Sequence, residues 1–159
     1  MNKTYLLLGS NIGDSTTHFK NAKKHLTKKI GAIIRSSSIY STSAWGNKNQ
    51  ADFLNQIIII DNKLDPQQTI QTILEIEVEM GRTRLKKNEP RVIDIDILFY
   101  NKVIINTKKL IIPHPLMQER NFVMTPLNEL SPNFIHPVLK KKIHQLYLTC
   151  KDTLAVHKI

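Results

Sequence analysis

At 159 residues and 41% apolar content, the chain has room for one domain with a buried core, spanning 1–159, and neither global disorder nor a second domain is expected. A single cysteine, Cys150, excludes an internal disulfide and a cysteine-built zinc site, and no apolar run approaches the roughly 18 residues of a membrane span, so a cytoplasmic protein without a membrane partner is expected. A net charge of +10 leaves two readings open: attraction to a polyanion (nucleic acid, anionic lipid or a polyphosphate ligand), or solvated surface lysines.

The opening MNKTYLLLGSN has too short an apolar stretch for a signal sequence, and TYLLLG (4–9) predicts a first strand stopped by Gly9. A helix follows over 15–29, where Phe19, Ala22, Leu26 and Ile30 recur at helical spacing and Gly31 ends the run. Residues 32–41 and 53–61 read as strands, the second (FLNQIIIID) strongly β-branched; between them STSAWGNKNQAD is a polar loop carrying the single Trp45. Asp65 before Pro66 marks a helix start, continued by Ile70, Ile73, Leu74 and Glu77 and stopped at Gly81. RTRLKKNEPR (82–91) has charge without an apolar period and reads as an exposed loop. VIDIDILF is a strand, YNK a turn, VIINTKKLIIP a return ribbon and PLMQER a short helix; NFVMTPLNEL carries no assignment, and a last helix is expected over 139–149. This order, β-α-β-β-α-β with additions, suits the α+β class: a mixed or antiparallel sheet with helices packed on it in ferredoxin-like style.

One strand carries an anomaly. PRVIDIDILFY (90–100) reads as buried, yet holds two aspartates two residues apart. Asp94 and Asp96 therefore share one face of the strand, while Ile93, Ile95 and Ile97 fill the other. Their Cα atoms lie about 6.5–7 Å apart. At an effective dielectric of about 20, charges about 6 Å apart repel by roughly 3 kcal/mol. An Arg or Lys partner, exposure at a sheet end, or a hard divalent cation would each relieve the repulsion. Of 23 basic residues only Arg35, Arg82, Arg84, Arg91 and Arg120 are arginines, and four of them fall within 82–120, around the pair. Arginine offers a planar fork matched to phosphate oxygens. Carboxylates for Mg²⁺ and guanidinium groups for phosphates are the parts phosphoryl transfer needs most. No GxxxxGK[ST] is present and LGSNIGD is not GxGxxG, which disfavours the P-loop and Rossmann routes.

In order along the chain, LGSNIGD (8–14), FLNQ (53–56), EVEMGRTR (77–84), PRVIDIDIL (90–98) and PHPLMQERNFVMTPLNEL (113–130) together resemble 6-hydroxymethyl-7,8-dihydropterin pyrophosphokinase, over about residues 5–137. The resemblance implies a ferredoxin-like three-layer α/β/α sandwich with a mostly antiparallel sheet, and transfer of pyrophosphate from ATP to the pterin hydroxymethyl oxygen, with AMP released. It implies that Asp94 and Asp96 hold two Mg²⁺ ions, and that Arg82 and Arg91 steady the phosphates. Arg84, His114 and Arg120 would contact the nucleotide, with Glu77 and Ile97 lining its pocket. Thr42 and Asn55 would bond the pterin edge, and Phe53 and Phe122 would wall it, Phe122 stacking on the ring. The partners implied are the two small-molecule substrates, with no nucleic acid, and a monomer is expected. The loop RLKKNEPR lacks the Trp and the Gly before Pro that many members carry, and Leu116 stands where a basic residue is common.

Two other functions compete. An RNA-binding module fits the charge, but no K/R-G-F/Y-G/A-F-V-x-F/Y run exists and the candidate central strand carries aspartates that repel phosphate. A different Mg²⁺-dependent phosphoryl or nucleotidyl transferase would use the same carboxylate pair, and its nucleotide product would identify it.

Overall fold

The computed structural model describes residues 1–43, 51–81 and 92–159. In chain order the first half is β1 (Asn2–Ser10), α1 (Ser15–Lys29), β2 (Ile33–Ser36), β3 (Tyr40–Thr42), β4 (Phe53–Asn62) and α2 (Pro66–Glu79). The second half is β5 (Asp94–Tyr100), β6 (Ile105–Asn106), β7 (Ile111–Ile112), a 3₁₀ turn (Met117–Glu119), α3 (Asn121–Leu130), α4 (Ile143–Leu148) and β8 (Val156–Lys158).

The apolar run in β1 decides the layering. From Thr4 onward β1 is buried on both faces, so successive side chains enter two different cores. Leu6 and Leu8 join Ile58, Ile60, Ile95 and Ile97 beneath α1 and α2, whereas Tyr5 and Leu7 join Ile57, Ile59, Leu98 and Phe99 beneath α3 and α4. Each such side chain contributes roughly 1.5–3 kcal/mol relative to exposure. The result is a sheet between two helical layers.

Every pairing in the sheet is antiparallel. β5 forms one edge beside β1, β1 lies beside β4, β4 carries both β2 and β3, and β8 follows β3; β6 and β7 make a separate ribbon. α1 crosses from β1 over to β2, and α2 from β4 over to β5, each passing one intervening strand, which is the ferredoxin-like arrangement. Pairing between β1 and β5 shifts between Leu6 opposite Ile97 and Tyr5 opposite Phe99. Leu98 is the extra residue, so Leu98 and Phe99 both reach the α3 side and Tyr100 returns to the other.

Local chemistry explains the helix ends. Asp14 caps α1, taking 2.7 Å hydrogen bonds from the Thr16 and Thr17 hydroxyls, and these, Thr17 first, pull its carboxyl down to about 2. Asp65 and Gln68 form a reciprocal capping box on α2. Gly31 is required after α1 because a Cβ there would collide with the Asp61 carbonyl oxygen.

Three elements differ from the sequence expectations, and a fourth, NFVMTPLNEL, had none. The first strand does not stop at Gly9 but runs through it to Ser10. The strand expected over 32–41 is divided into β2 and β3: at the break Ser37 N keeps one backbone bond to Ile57 O at 2.8 Å, but Ser37 Oγ accepts from Ile57 N at 3.0 Å and the Gln56 amide donates to Ser37 O at 2.7 Å, so side chains make the other bonds. NFVMTPLNEL is helix α3 despite Pro126; tertiary bonds hold both its ends, Asp152 Oδ2 accepting from Asn121 N and Arg35 Nη1 donating to Leu130 O, each at 2.9 Å. The last helix is shorter than expected, Ile143–Leu148, and the polar C-terminus adds β8 to the sheet.

Candidate active site

The α3 layer covers its face of the sheet only partway. Beyond Leu7 the same face opens into a cavity of about 590 Å³, within the range of small-molecule pockets. Strand register explains its floor. Gly9 on β1 stands opposite Asp94 on β5 and Asn55 on β4, and Leu7 stands opposite Asp96. Thr42 stands opposite Phe53 in the next pair outward. All seven line the cavity. A Cβ on Gly9 would lie 3.1 Å from Asn55 Oδ1 and 3.9 Å from Asp94 Cβ, so the glycine keeps the middle of the floor free of side chain. Expected only to end the strand, Gly9 shapes the site through its missing side chain.

The walls come from elsewhere in the chain. Arg120 and Phe122 flank the start of α3 and line the cavity, with the guanidinium carbon 5.7 Å from the ring centroid, a cation–π distance. Leu116 and Glu119 precede them, and Lys151, Asp152 and Leu154 form the side contributed by the C-terminal tail. The tail residues carry no motif; β8 pairing with β3 and the Asp152 bond to Asn121 N bring them here.

Asn55 is buried and lines the cavity, so its amide is placed where a polar ligand can meet it. His114 is tied to β5 by its backbone N–H, which donates to Leu98 O at 3.1 Å. Its Nδ1 accepts from Leu116 N at 3.2 Å, which places the proton of the neutral ring on Nε2. Burial pushes its pKa below the ordinary 6.5, the Arg120 charge adds to that, and Asp94 opposes it.

Thr42, Phe53, Asn55, Asp94, Asp96, Arg120 and Phe122 thus meet around one cavity. Glu77, Ile97 and His114 are not among the described residues that line it. Glu77 is buried on α2, with Oε2 accepting from Ile95 N at 2.8 Å, so it holds the peptide between the two aspartates from the edge of the sheet. Ile97 packs in the core under α1 and α2, on the face opposite the aspartates. Arg82, Arg84, Arg91 and Trp45 lie outside the described residues.

The aspartate pair fits a hard cation. Both carboxylates face the cavity across a floor cleared by Gly9. Among the described residues no group of three or more metal-ligating side chains occurs. Two carboxylates, with substrate and water oxygens completing the shell, is the donor set Mg²⁺ favours. No helix of the described residues is long and apolar enough to cross a membrane.

A family model for 7,8-dihydro-6-hydroxymethylpterin-pyrophosphokinase (HPPK) matches residues 5–132. The 2-amino-4-hydroxy-6-hydroxymethyldihydropteridine pyrophosphokinase of Aquifex aeolicus is 40% identical over 145 residues, 91% of this chain and 90% of that protein. The Bacillus subtilis protein of the same name is 42% identical over 130 residues, 81% of this chain and 78% of its own length. The folic acid synthesis protein FOL1 of Dictyostelium discoideum is 41% identical over 159 residues, but the chain spans only 24% of it. Among solved structures, a Plasmodium falciparum HPPK-DHPS triple mutant superposes with a TM-score of 0.77 at 21% identity, covering 92% of this chain and 44% of that one, a likeness of fold.

Proposed function

This chain belongs to the 7,8-dihydro-6-hydroxymethylpterin-pyrophosphokinase family, and on that premise we propose that residues 1–159 act as one domain transferring pyrophosphate from ATP to 6-hydroxymethyl-7,8-dihydropterin in folate synthesis. The observation that carries this reading is a single cavity whose floor joins a carboxylate pair to a buried amide and whose sides are aromatic.

In this reading Thr42 and Asn55 meet the hydrogen-bonding edge of the pterin. Phe53 and Phe122 take its faces, which favours a flat heterocycle over an aliphatic alcohol. Arg120 and the Nε2–H of His114 meet nucleotide phosphate and ribose oxygens, and Arg82, Arg84 and Arg91 join them by sequence. Asp94 and Asp96 would hold two Mg²⁺ ions. When bound, these ions lower the pKa of the attacking hydroxyl and offset phosphate charge. Glu77 and Ile97 serve by fixing β5, on which both aspartates stand.

The chain's own work is positioning. It holds the hydroxymethyl oxygen in line with the β-phosphorus and keeps cationic groups on the phosphate oxygens. The bond from the pterin oxygen to Pβ forms, and the bond from Pβ to the oxygen of the α-phosphate breaks. The electron pair leaves with AMP, and the hydroxyl proton passes to solvent.

The test is to mix the protein with ATP, Mg²⁺ and 6-hydroxymethyl-7,8-dihydropterin and separate the nucleotide products. AMP formed only when pterin and Mg²⁺ are both present is the expected result. ADP would overturn the reading in favour of a simple kinase, and free pyrophosphate in favour of a nucleotidyl transferase.

A further inference from the structure

The matched family span ends at residue 132, yet the tail well beyond it meets the cavity repeatedly. Lys151, Asp152 and Leu154 line the cavity. β8 continues along β3, setting Val156 opposite Thr42. Between these contacts Asp152 makes two bonds: Oδ2 accepts from Asn121 N at 2.9 Å and Oδ1 accepts from Leu154 N at 3.0 Å.

Asn121 is the first residue of α3, and Arg120 before it provides no side-chain cap. The Asn121 N–H is one of the donors a helix start leaves without an internal partner. A carboxylate there also meets the positive end of the helix dipole. Asn121 lies between Arg120 and Phe122, both on the cavity wall. The bond from Asp152 therefore fixes the Arg120–Asn121 peptide, which carries Arg120 and leads directly into Phe122.

We propose that the segment 151–158 is a built wall of the binding cavity and that Asp152 is a positioning residue, setting Phe122 for the pterin and, beside it, Arg120 for the nucleotide. The inference rests on the pyrophosphokinase reading above. A purely structural cap would lower stability without coupling to Phe122 in ligand binding.

The experiment measures equilibrium binding of 6-hydroxymethyl-7,8-dihydropterin with Mg²⁺ and α,β-methylene-ATP, whose methylene replaces the oxygen to be cleaved. Parent, Asp152→Ala, Phe122→Ala and the double variant form a cycle. Asp152→Ala should weaken pterin binding about tenfold, the scale of one charge-assisted hydrogen bond. Asp152→Asn, which keeps one acceptor oxygen, should lose less. The double variant should lose less than the sum of the singles, because Asp152 acts partly through the ring. Additive losses, or parent-like binding by Asp152→Ala, would overturn the proposal. If Asp152→Ala does not fold, the same cycle is read with Asp152→Asn. A parent protein that binds no pterin would instead remove the underlying reading, so the two failures are distinct.

Discussion

The two faces of the central sheet are made by the same strands and do different work. Under α1 and α2 the middle of the face is a continuous apolar core: Leu6 and Leu8 on β1, Ile58 and Ile60 on β4, Ile95 and Ile97 on β5, with Thr4 and Asn62 hydrogen-bonded to each other at its end. Under α3 and α4 it is apolar only as far as Leu7, and then becomes Gly9, Asn55, Thr42, Asp94 and Asp96. Because strand side chains alternate with a period of two, Asp94 and Asp96 are interleaved with Ile95 and Ile97 without either set disturbing the other. A strand can therefore anchor a core with one residue and present chemistry with the next. The site lies where the covering layer stops.

The strongest way to break this division is to remove one carboxylate. Asp94→Ala or Asp96→Ala should lower AMP formation on the order of a thousandfold, with the circular dichroism spectrum and Tm near those of the parent. Near-parent turnover in either variant would sink the metal-holding role.

The interleaved residues should do the reverse. Ile97→Ala opens a hole under α1 and α2 and should cost about 2–5 kcal/mol in denaturant unfolding. The KM for ATP of the folded enzyme should stay near the parent value. A raised KM at unchanged stability would instead give Ile97 the direct nucleotide contact that the family resemblance implies.

Gly9→Ala sharpens the boundary between core and cavity. The added methyl meets Asn55 Oδ1 at 3.1 Å, on the floor of the site. Pterin affinity should fall by about tenfold, the usual effect of one methyl in a specific pocket. A loss confined to stability would mean that Gly9 serves the backbone alone.

The smallest effect concerns the bonds that hold α3 on the second face. Burial opposes ionisation of Glu129, yet hydrogen bonds from the Tyr40 hydroxyl (2.6 Å) and from Ser38 hold its pKa below the ordinary 4.5. The folded value lies below the unfolded one, so this stabilisation is complete above pH 4.5 and is lost as pH falls through the folded value. In Tm measured against pH, parent and Glu129→Gln should differ above 4.5 and converge in acid. Parallel curves would show that the carboxylate charge contributes nothing.

Local and periodic information was legible in the sequence. The Asp65 cap, the helix over 15–29, the β-branched run of β4 and the placing of Asp94 and Asp96 on one face follow from contacts within a few residues and from strand geometry, and all appear in the structure. Family resemblance added Thr42, Asn55, Arg120 and Phe122, which converge from β3, β4 and the start of α3. Other features needed the fold. Pro126 argues locally against a helix, but Arg35 and Asp152 stabilise both ends of α3 from distant parts of the chain. Only packing brings the Glu77 carboxylate from α2 onto Ile95 N of β5. The tail KDTLAVHK has no apolar period, and becomes strand and cavity wall because the edge of β3 and the start of α3 offer it partners. Sequence determines what a segment does alone, since propensity and alternation act over a few residues. Tertiary structure decides which distant groups share a cavity, because register and layer packing bring them together only after the chain has folded.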